Sequence, residues 1–364
     1  MFGSIKNFIR RHSRKFAVCG LIASSYIIIS RYSHRKIIEW HKQEVQKRVL
    51  NSKRKQHYEC TEKSCVQAIY NLGRCIKNSV LKYISSQEII DKLKDGNCDK
   101  IACWNELKVN SICKSVIIIY ADIMVVLIMQ IQLNLISALM FVDSNKMEDE
   151  RELRRIQENY LNLSNYFIDG GIKQLSLFIK QKVEQVLKSI SLKDKFNLKE
   201  LEQIYLGIMS SILADKNGDP VKNFRQYVFP PTINTENNNR YKEIINVTLD
   251  LLDGQEFHSL MQSNVRSGFV LMIDKISESF DKAVNKNSDN SSSMTEEVAE
   301  NYLIVHNLEN SKLPMAKIIP IVNNLFPDIS EGNDIHDTWL KFLIANHQLK
   351  SFGANIYEAF SPYQ

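Results

Sequence analysis

Seven cysteines and eight histidines are the side chains of this sequence with the widest chemical repertoire. Thiolates and imidazoles hold zinc, and thiolates exchange disulfides. The cysteines, Cys19, Cys60, Cys65, Cys75, Cys98, Cys103 and Cys113, all fall in the first third of the chain. Cys60/Cys65 and Cys98/Cys103 repeat one five-residue step, on which a zinc site is conceivable. No C-x-x-C and no paired histidine accompanies it, so the simpler reading is free thiols in a reducing compartment. The histidines are scattered, and none stands at triad or metal spacing from a cysteine or carboxylate. Glycine-rich phosphate loops, H-E-x-x-H and G-x-S-x-G are absent. These observations predict a protein that is not an enzyme and needs no cofactor or metal.

A different chemistry, recognition, is carried by "CDKIACWNELK", Cys98 to Lys108. Trp104 stands four residues after Lys100 and four before Lys108. On a helix of about 100° per residue, Lys100 and Lys108 fall about 40° to either side of Trp104, and Leu107 about 60° away. Ala102, Val109, Cys113 and Val116 gather on the opposite side, a natural core-facing stripe. Two readings of Trp104 stay open on the pattern alone. Large bundles bury two helix faces, so the indole can pack under a neighbouring loop or helix. Alternatively it is an apolar anchor rimmed by cations, suited to an amphipathic helix with acidic residues beside its apolar face. Leu93 and Lys94, one short turn earlier in the preceding helix, complete the rim in that reading.

The elements that position these residues are helical. Glycine and proline number only 12 and 7, and the first proline is Pro220. Apolar residues at 3–4 spacing predict a helix over Cys65 to Ile84. Ser85 to Glu88 is a capping box ahead of Ile89, Ile90 and Leu93, and Gly96 suits the position after a helix end. Asp99 is placed to cap the next helix, predicted to run unbroken to about Val142. That helix contains "SVIIIYADIMVVLIMQIQLNLISALMFV", the most apolar stretch of the chain. Asp122, Gln130, Gln132 and Asn134 interrupt it, and one charge at a bilayer centre costs at least ~2.5 kcal/mol. A buried central helix is therefore preferred to a membrane span. Further helices are predicted at about 147–168, 171–190, 197–213, 236–252 and 255–284, with a last helix ending near Phe360. Residues 214–235 and the run Asn285 to Ser293 read as loops. The fold class is all-α: a large twisted bundle with one very long central helix.

Charge is concentrated at the N-terminus. The first 38 residues hold eight of the 47 Lys and Arg and no Asp or Glu, leaving 39 against 41 in the remainder. A slightly acidic body argues against nucleic acid as a partner. Residues 1–15 are basic, carrying Lys6, Arg10, Arg11, Arg14 and Lys15. Residues 16–30, "FAVCGLIASSYIIIS", are apolar over roughly 22 Å of helix, short of a ~30 Å hydrocarbon core. A signal peptide and a mitochondrial presequence fit less well than a short membrane anchor. The cleavage site and the amphipathic pattern those require are missing. Basic residues at both ends can snorkel to the headgroups. Residues 31–57 read as a charged helical linker and 58–364 as one cytosolic bundle, the free thiols favouring the cytosol.

The sequence resembles the peroxin-3 family of peroxisomal biogenesis factors. The resemblance rests on "NFIRRHSRKF", the "WNELK" run, "YADIMVVLIMQIQLNLIS", "LPMAKIIPIVN" and "ANIYEAFS", spread from the first ten residues to the last ten. It implies an integral peroxisomal membrane protein with a cytosolic helical domain, acting as docking receptor for peroxin-19. That soluble chaperone carries new peroxisomal membrane proteins for insertion. It further implies that an N-terminal amphipathic helix of peroxin-19 binds a groove at Trp104, Leu93, Lys94, Lys100, Leu107 and Lys108. Lys6, Arg10, Arg11, Arg14 and Lys15 then belong to the targeting signal. Membrane lipids and cargo membrane proteins are further implied partners. The family's proline in the turn before this helix is replaced by Asp95–Gly96–Asn97–Cys98, which loosens the placement of Leu93 and Lys94. A tether for organelle-inheritance or degradation factors is the alternative function. Asn162, Asn246 and Asn290 begin glycosylation sequons. A cytosolic body predicts that none is modified in eukaryotic cells. A glycosidase-sensitive mass shift would contradict that topology.

Overall fold

The computed structural model describes residues 2–96, 98–143, 150–232, 239–288, 312–327 and 335–362; the side chains of 2–24, 27, 150 and 281–288 lie outside that description. In chain order the helices are α1 (Phe2–Tyr83), α2 (Gln87–Asp95), α3 (Lys100–Asp143) and α4 (Glu150–Tyr166), a π-turn (Phe167–Gly171), then α5 (Ile172–Leu187). Strand β1 (Lys195–Phe196), α6 (Leu198–Leu213), α7 (Phe224–Val228), α8 (Asn239–Leu252) and α9 (Gln255–Ser288) follow. The C-terminal part holds β2 (Leu313–Pro314), α10 (Met315–Asn323), α11 (Ile335–Ala345) and α12 (His347–Phe360). The fold is all-α, as the sequence predicts. It divides into two compact units, Met1–Glu59 and Cys60–Gln364, and α1 contributes residues to both.

In the first unit Lys6, Arg10, Arg11, Arg14 and Lys15, and most of residues 16–30 expected to form an anchor, lie outside the described side chains. Of the anchor's described side chains, Tyr26, Ile28 and Ile29 are exposed.

The second unit is built around α3. Every residue from Asn110 to Met129 is buried. Among the described residues α3 is the one helix long and apolar enough to cross a bilayer, and its apolar window is wholly enclosed by protein. α12, α5, α10 and α9 pack along it. The C-terminal part of α1 adds a stripe of Cys65, Ile69, Ile76 and Val80, all buried. These recur at helical spacing on one face.

Four polar residues of α3 are met by other elements. Lys114 Nζ donates to the backbone carbonyl and the side-chain oxygen of Asn323, both at 3.0 Å, at the end of α10. Asp122 lies 3.0 Å from His336 Nε2 on α11, both side chains fully enclosed. Gln132 donates to the Tyr160 carbonyl at 2.7 Å, and the Tyr160 hydroxyl meets Thr248 on α8 at 2.7 Å. Asp143 pairs with Arg240 of α8. Unpaired, such groups would each cost a few kcal/mol in an apolar core. Paired, they fix which helix lies where along α3.

Four features depart from the sequence expectation. α7 lies inside the segment 214–235 read as a loop. α9 continues to Ser288, past the predicted end near 284, because no glycine or proline interrupts Asn285–Lys286–Asn287–Ser288. The rest of the predicted loop, 289–293, lies outside the described residues. Residues 195–196 and 313–314 pair as an antiparallel ribbon, Phe196 opposite Leu313. Two residues per strand are too few to show alternation in sequence. The boundary predicted between helices near residue 170 is a π-turn running directly into α5. There Gly171 passes so close to α7 that a Cβ would lie 1.8 Å from the Tyr227 carbonyl oxygen. Only glycine permits that approach.

Candidate functional site

The predicted caps assemble the start of α3. Ser85 Oγ accepts from the Glu88 amide at 3.4 Å ahead of α2. α2 ends at Gly96 in the left-handed conformation, φ 71°. Asp99 Oδ1 then accepts from the Ile101 amide at 3.0 Å, capping α3. α2 lies against α3, and Asn110 Nδ2 donates to the Ser85 carbonyl at 3.1 Å, tying the helix pair together.

The six residues singled out around Trp104 separate into two groups. Trp104 and Leu93 are half-buried, each resting on the edge of the core. Lys94 and Lys100 are exposed, Lys94 with a solvent-facing partner, Asp91, at 3.6 Å. Ile101, next to Lys100, is 69% exposed, a large apolar side chain in water. Leu107 and Lys108, in contrast, are only 4% exposed. Leu107 was expected on the outward side of α3. The wheel alone did not foresee that Cys103 and Leu107 would be covered while Ala102, assigned to the inward stripe, would be exposed.

Lys108 differs most from the expectation of a rim cation. Its Nζ donates to the carbonyls of Leu187 at 3.3 Å and Ile190 at 2.5 Å, where α5 ends. The last carbonyls of a helix have no partner within it, and a cation there also meets the negative end of the helix dipole. Burial pushes the Lys108 ammonium below its usual range, while the Asp194 carboxylate acts the other way. Lys108 thus fastens α3 to α5. Sequence reasoning missed this because the acceptors lie 79 and 82 residues away.

The start of α3 and the end of α5 enclose an open cleft of about 800 Å³. Ile101, Asn105 and Val109, at i, i+4 and i+8, form one wall; Leu187, Lys188 and Leu192 contribute to the other. Ile101 is about 60° around α3 from Trp104, and the indole itself is not part of the lining. The cleft offers apolar surface bordered by Lys108, Lys188 and Lys193. It contains no candidate nucleophile paired with a base. Among the described residues no three His, Cys, Asp or Glu side chains gather for a metal ion.

A family model described as Peroxin-3 matches residues 137–359, more than half of the chain. The chain belongs to the Peroxin-3 family. Similar curated proteins include Peroxisomal biogenesis factor 3 of Cricetulus longicaudatus, 25% identical over 385 residues, covering 100% of this chain and 99% of the relative. The Homo sapiens protein of that name is 25% identical over 383 residues with the same coverage. Peroxisome biogenesis protein 3-1 of Arabidopsis thaliana is 23% identical over 235 residues, 58% of this chain and 64% of that one. The family-model match begins within α3, after the Trp104 cluster; the full-length relatives extend across it.

The two lysines flanking Trp104 should behave differently on substitution. Lys108→Met removes the ammonium's bonds to the Leu187 and Ile190 carbonyls at the end of α5 and should lower stability by about 1–3 kcal/mol. Lys100→Met touches an exposed side chain and should leave the thermal midpoint essentially unchanged. Paired thermal melts check this; equal midpoints for the two variants would contradict the assignment of Lys108.

Proposed function

We propose that this protein is a peroxisomal membrane docking receptor, whose Trp104 face receives an amphipathic helix from the N-terminal part of peroxin-19. Membership of the Peroxin-3 family and the names of the relatives, peroxisomal biogenesis factors, support a role in peroxisome biogenesis. One observation carries the finer reading. α3 is buried through most of its length, yet its first turns leave Trp104 half-exposed and Ile101 open beside a wide cleft. Apolar surface of this kind, bordered by lysines, suits a helix laid into a groove with its apolar residues as anchors.

The roles within the face follow from burial. Trp104, Leu93 and Ile101 supply apolar contact. Lys94 and Lys100, both exposed, steer an acidic partner and set its orientation. Leu107 and Lys108 support the face from beneath. The 16–30 segment anchors the protein in the peroxisomal membrane, its exposed Tyr26, Ile28 and Ile29 facing lipid, with Lys6, Arg10, Arg11, Arg14 and Lys15 as targeting signal. The second unit faces the cytosol, where a soluble chaperone delivers cargo membrane proteins.

The test is a calorimetric titration of the full chain in mild detergent with the N-terminal helix of peroxin-19. Trp104→Ala, folded by thermal melt, should lose about 2 kcal/mol of binding, roughly thirtyfold in affinity. Equal affinities would move the docking site elsewhere and return Trp104 to ordinary packing. Absence of binding by the wild type would sink the receptor reading and leave a tether as the better account.

A further inference from the structure

The cap of α3 gives Cys98 and Cys103 a relationship that their spacing alone does not. Asp99 is the capping residue: its side chain accepts from the Ile101 amide at 3.0 Å, and its carbonyl accepts from the Cys103 amide at 2.9 Å. Cys98 is therefore the residue before the cap and Cys103 the fourth helical residue. Those two positions pack against each other at helix starts, where an apolar pair staples the entering chain to the first turn. Here both staple positions are thiols. Cys98 is half-buried, with Sγ 3.4 Å from the Lys92 carbonyl; Cys103 beneath it is 8% exposed. Cys60 and Cys65 share the same five-residue step but sit inside the continuous helix α1. A five-residue separation there turns the side chains about 140° apart, one exposed and one buried.

We propose that Cys98 and Cys103 form a reversible disulfide that fastens the first turn of α3 to the α2–α3 connection. The oxidant is a small-molecule disulfide such as oxidised glutathione. Cys98, the more accessible sulfur, loses its proton to solvent and attacks one glutathione sulfur. The S–S bond of glutathione breaks, and one glutathione leaves as thiolate and is protonated. Cys103 then loses its proton to solvent and attacks the Cys98 sulfur, and the second glutathione leaves and is protonated likewise. Two protein thiols are oxidised and one glutathione disulfide is reduced to two thiols.

The order of attack follows from the environment. Contact with Cys98, then burial, pushes the Cys103 thiol up to about 11, which makes it a poor entering nucleophile. The larger of those causes disappears once Cys98 is held in the mixed disulfide, and Cys103 is then close enough for the intramolecular step to dominate. The pairing does not depend on the docking reading.

The experiment uses the full chain in detergent, equilibrated in mixtures of oxidised and reduced glutathione, acid-quenched, alkylated and digested with trypsin. Cleavage after Lys94 and Lys100 places the two cysteines on separate peptides, Asp95–Lys100 and Ile101–Lys108. The expected product is this peptide pair joined by one disulfide, lost on dithiothreitol treatment and absent from Cys98→Ser and Cys103→Ser. The exposed Cys75 should carry only a single glutathione adduct. Recovery of both Cys98 and Cys103 as alkylated thiols, at a poise where Cys75 is glutathionylated, would overturn the proposal. So would a stable glutathione adduct on Cys98 beside a free Cys103, or a linked pair that forms only in denaturant.

Discussion

A 44-residue helix that is apolar on nearly every side cannot stand in water. Burying one large aliphatic side chain is worth about 1.5–3 kcal/mol, and α3 offers such side chains around its whole circumference. One partner helix covers one stripe. α3 therefore requires helices on all sides, and the second unit supplies them in α12, α5, α10 and α9, with α2, α4, α8 and α11 completing the layer. The non-directional apolar demand sets how many helices are needed. The few polar groups set their places. Lys114 can be satisfied only by an acceptor such as the end of α10, Asp122 by a donor such as His336, and Gln132 by an exposed carbonyl such as that of Tyr160.

The same constraint explains why recognition is assigned to the start of α3. Toward Lys100 the helix gives up its apolar circumference: Lys100, Ile101, Ala102 and Glu106 are exposed, and Trp104 is half-covered. Lys108 marks the transition, its ammonium fixed to the end of α5 one turn beyond Trp104. Trp104 is thus carried on an element whose remaining length is held rigidly. A docking residue mounted this way loses little conformational freedom when a partner arrives.

Much of this could be read in the sequence, and what could not has a common cause. The capping residue Asp99, Gly96 after α2 and the span of α3 are local signals, and each sits where local chemistry puts it; the cap position of α2 is Ser86, one residue past the predicted Ser85. The bonds of Lys108 to the end of α5 are not legible in the sequence because its partners are 79 and 82 residues away, although the side chain also lines the cleft. Leu107 was placed outward because a single-helix wheel does not contain α2. The β1–β2 ribbon and the Gly171 contact with Tyr227 likewise depend on long-range approach. The cysteines illustrate both sides. Two pairs with identical spacing differ because one straddles a cap and the other lies within a helix.

The central claim is that α3 is enclosed by protein and not by lipid, and its own thiol reports on that. Cys113, fully buried on α3, and Cys65, on α1, belong to one hydrophobic core. The decisive measurement is labelling of the full chain in liposomes with a membrane-impermeant maleimide across a urea series, read peptide by peptide. Enclosure by the bundle predicts that Cys113 is unreactive in buffer and becomes labelled over the same urea range as Cys65. Cys113 remaining unlabelled where Cys65 is fully modified would place α3 in the bilayer and contradict the account.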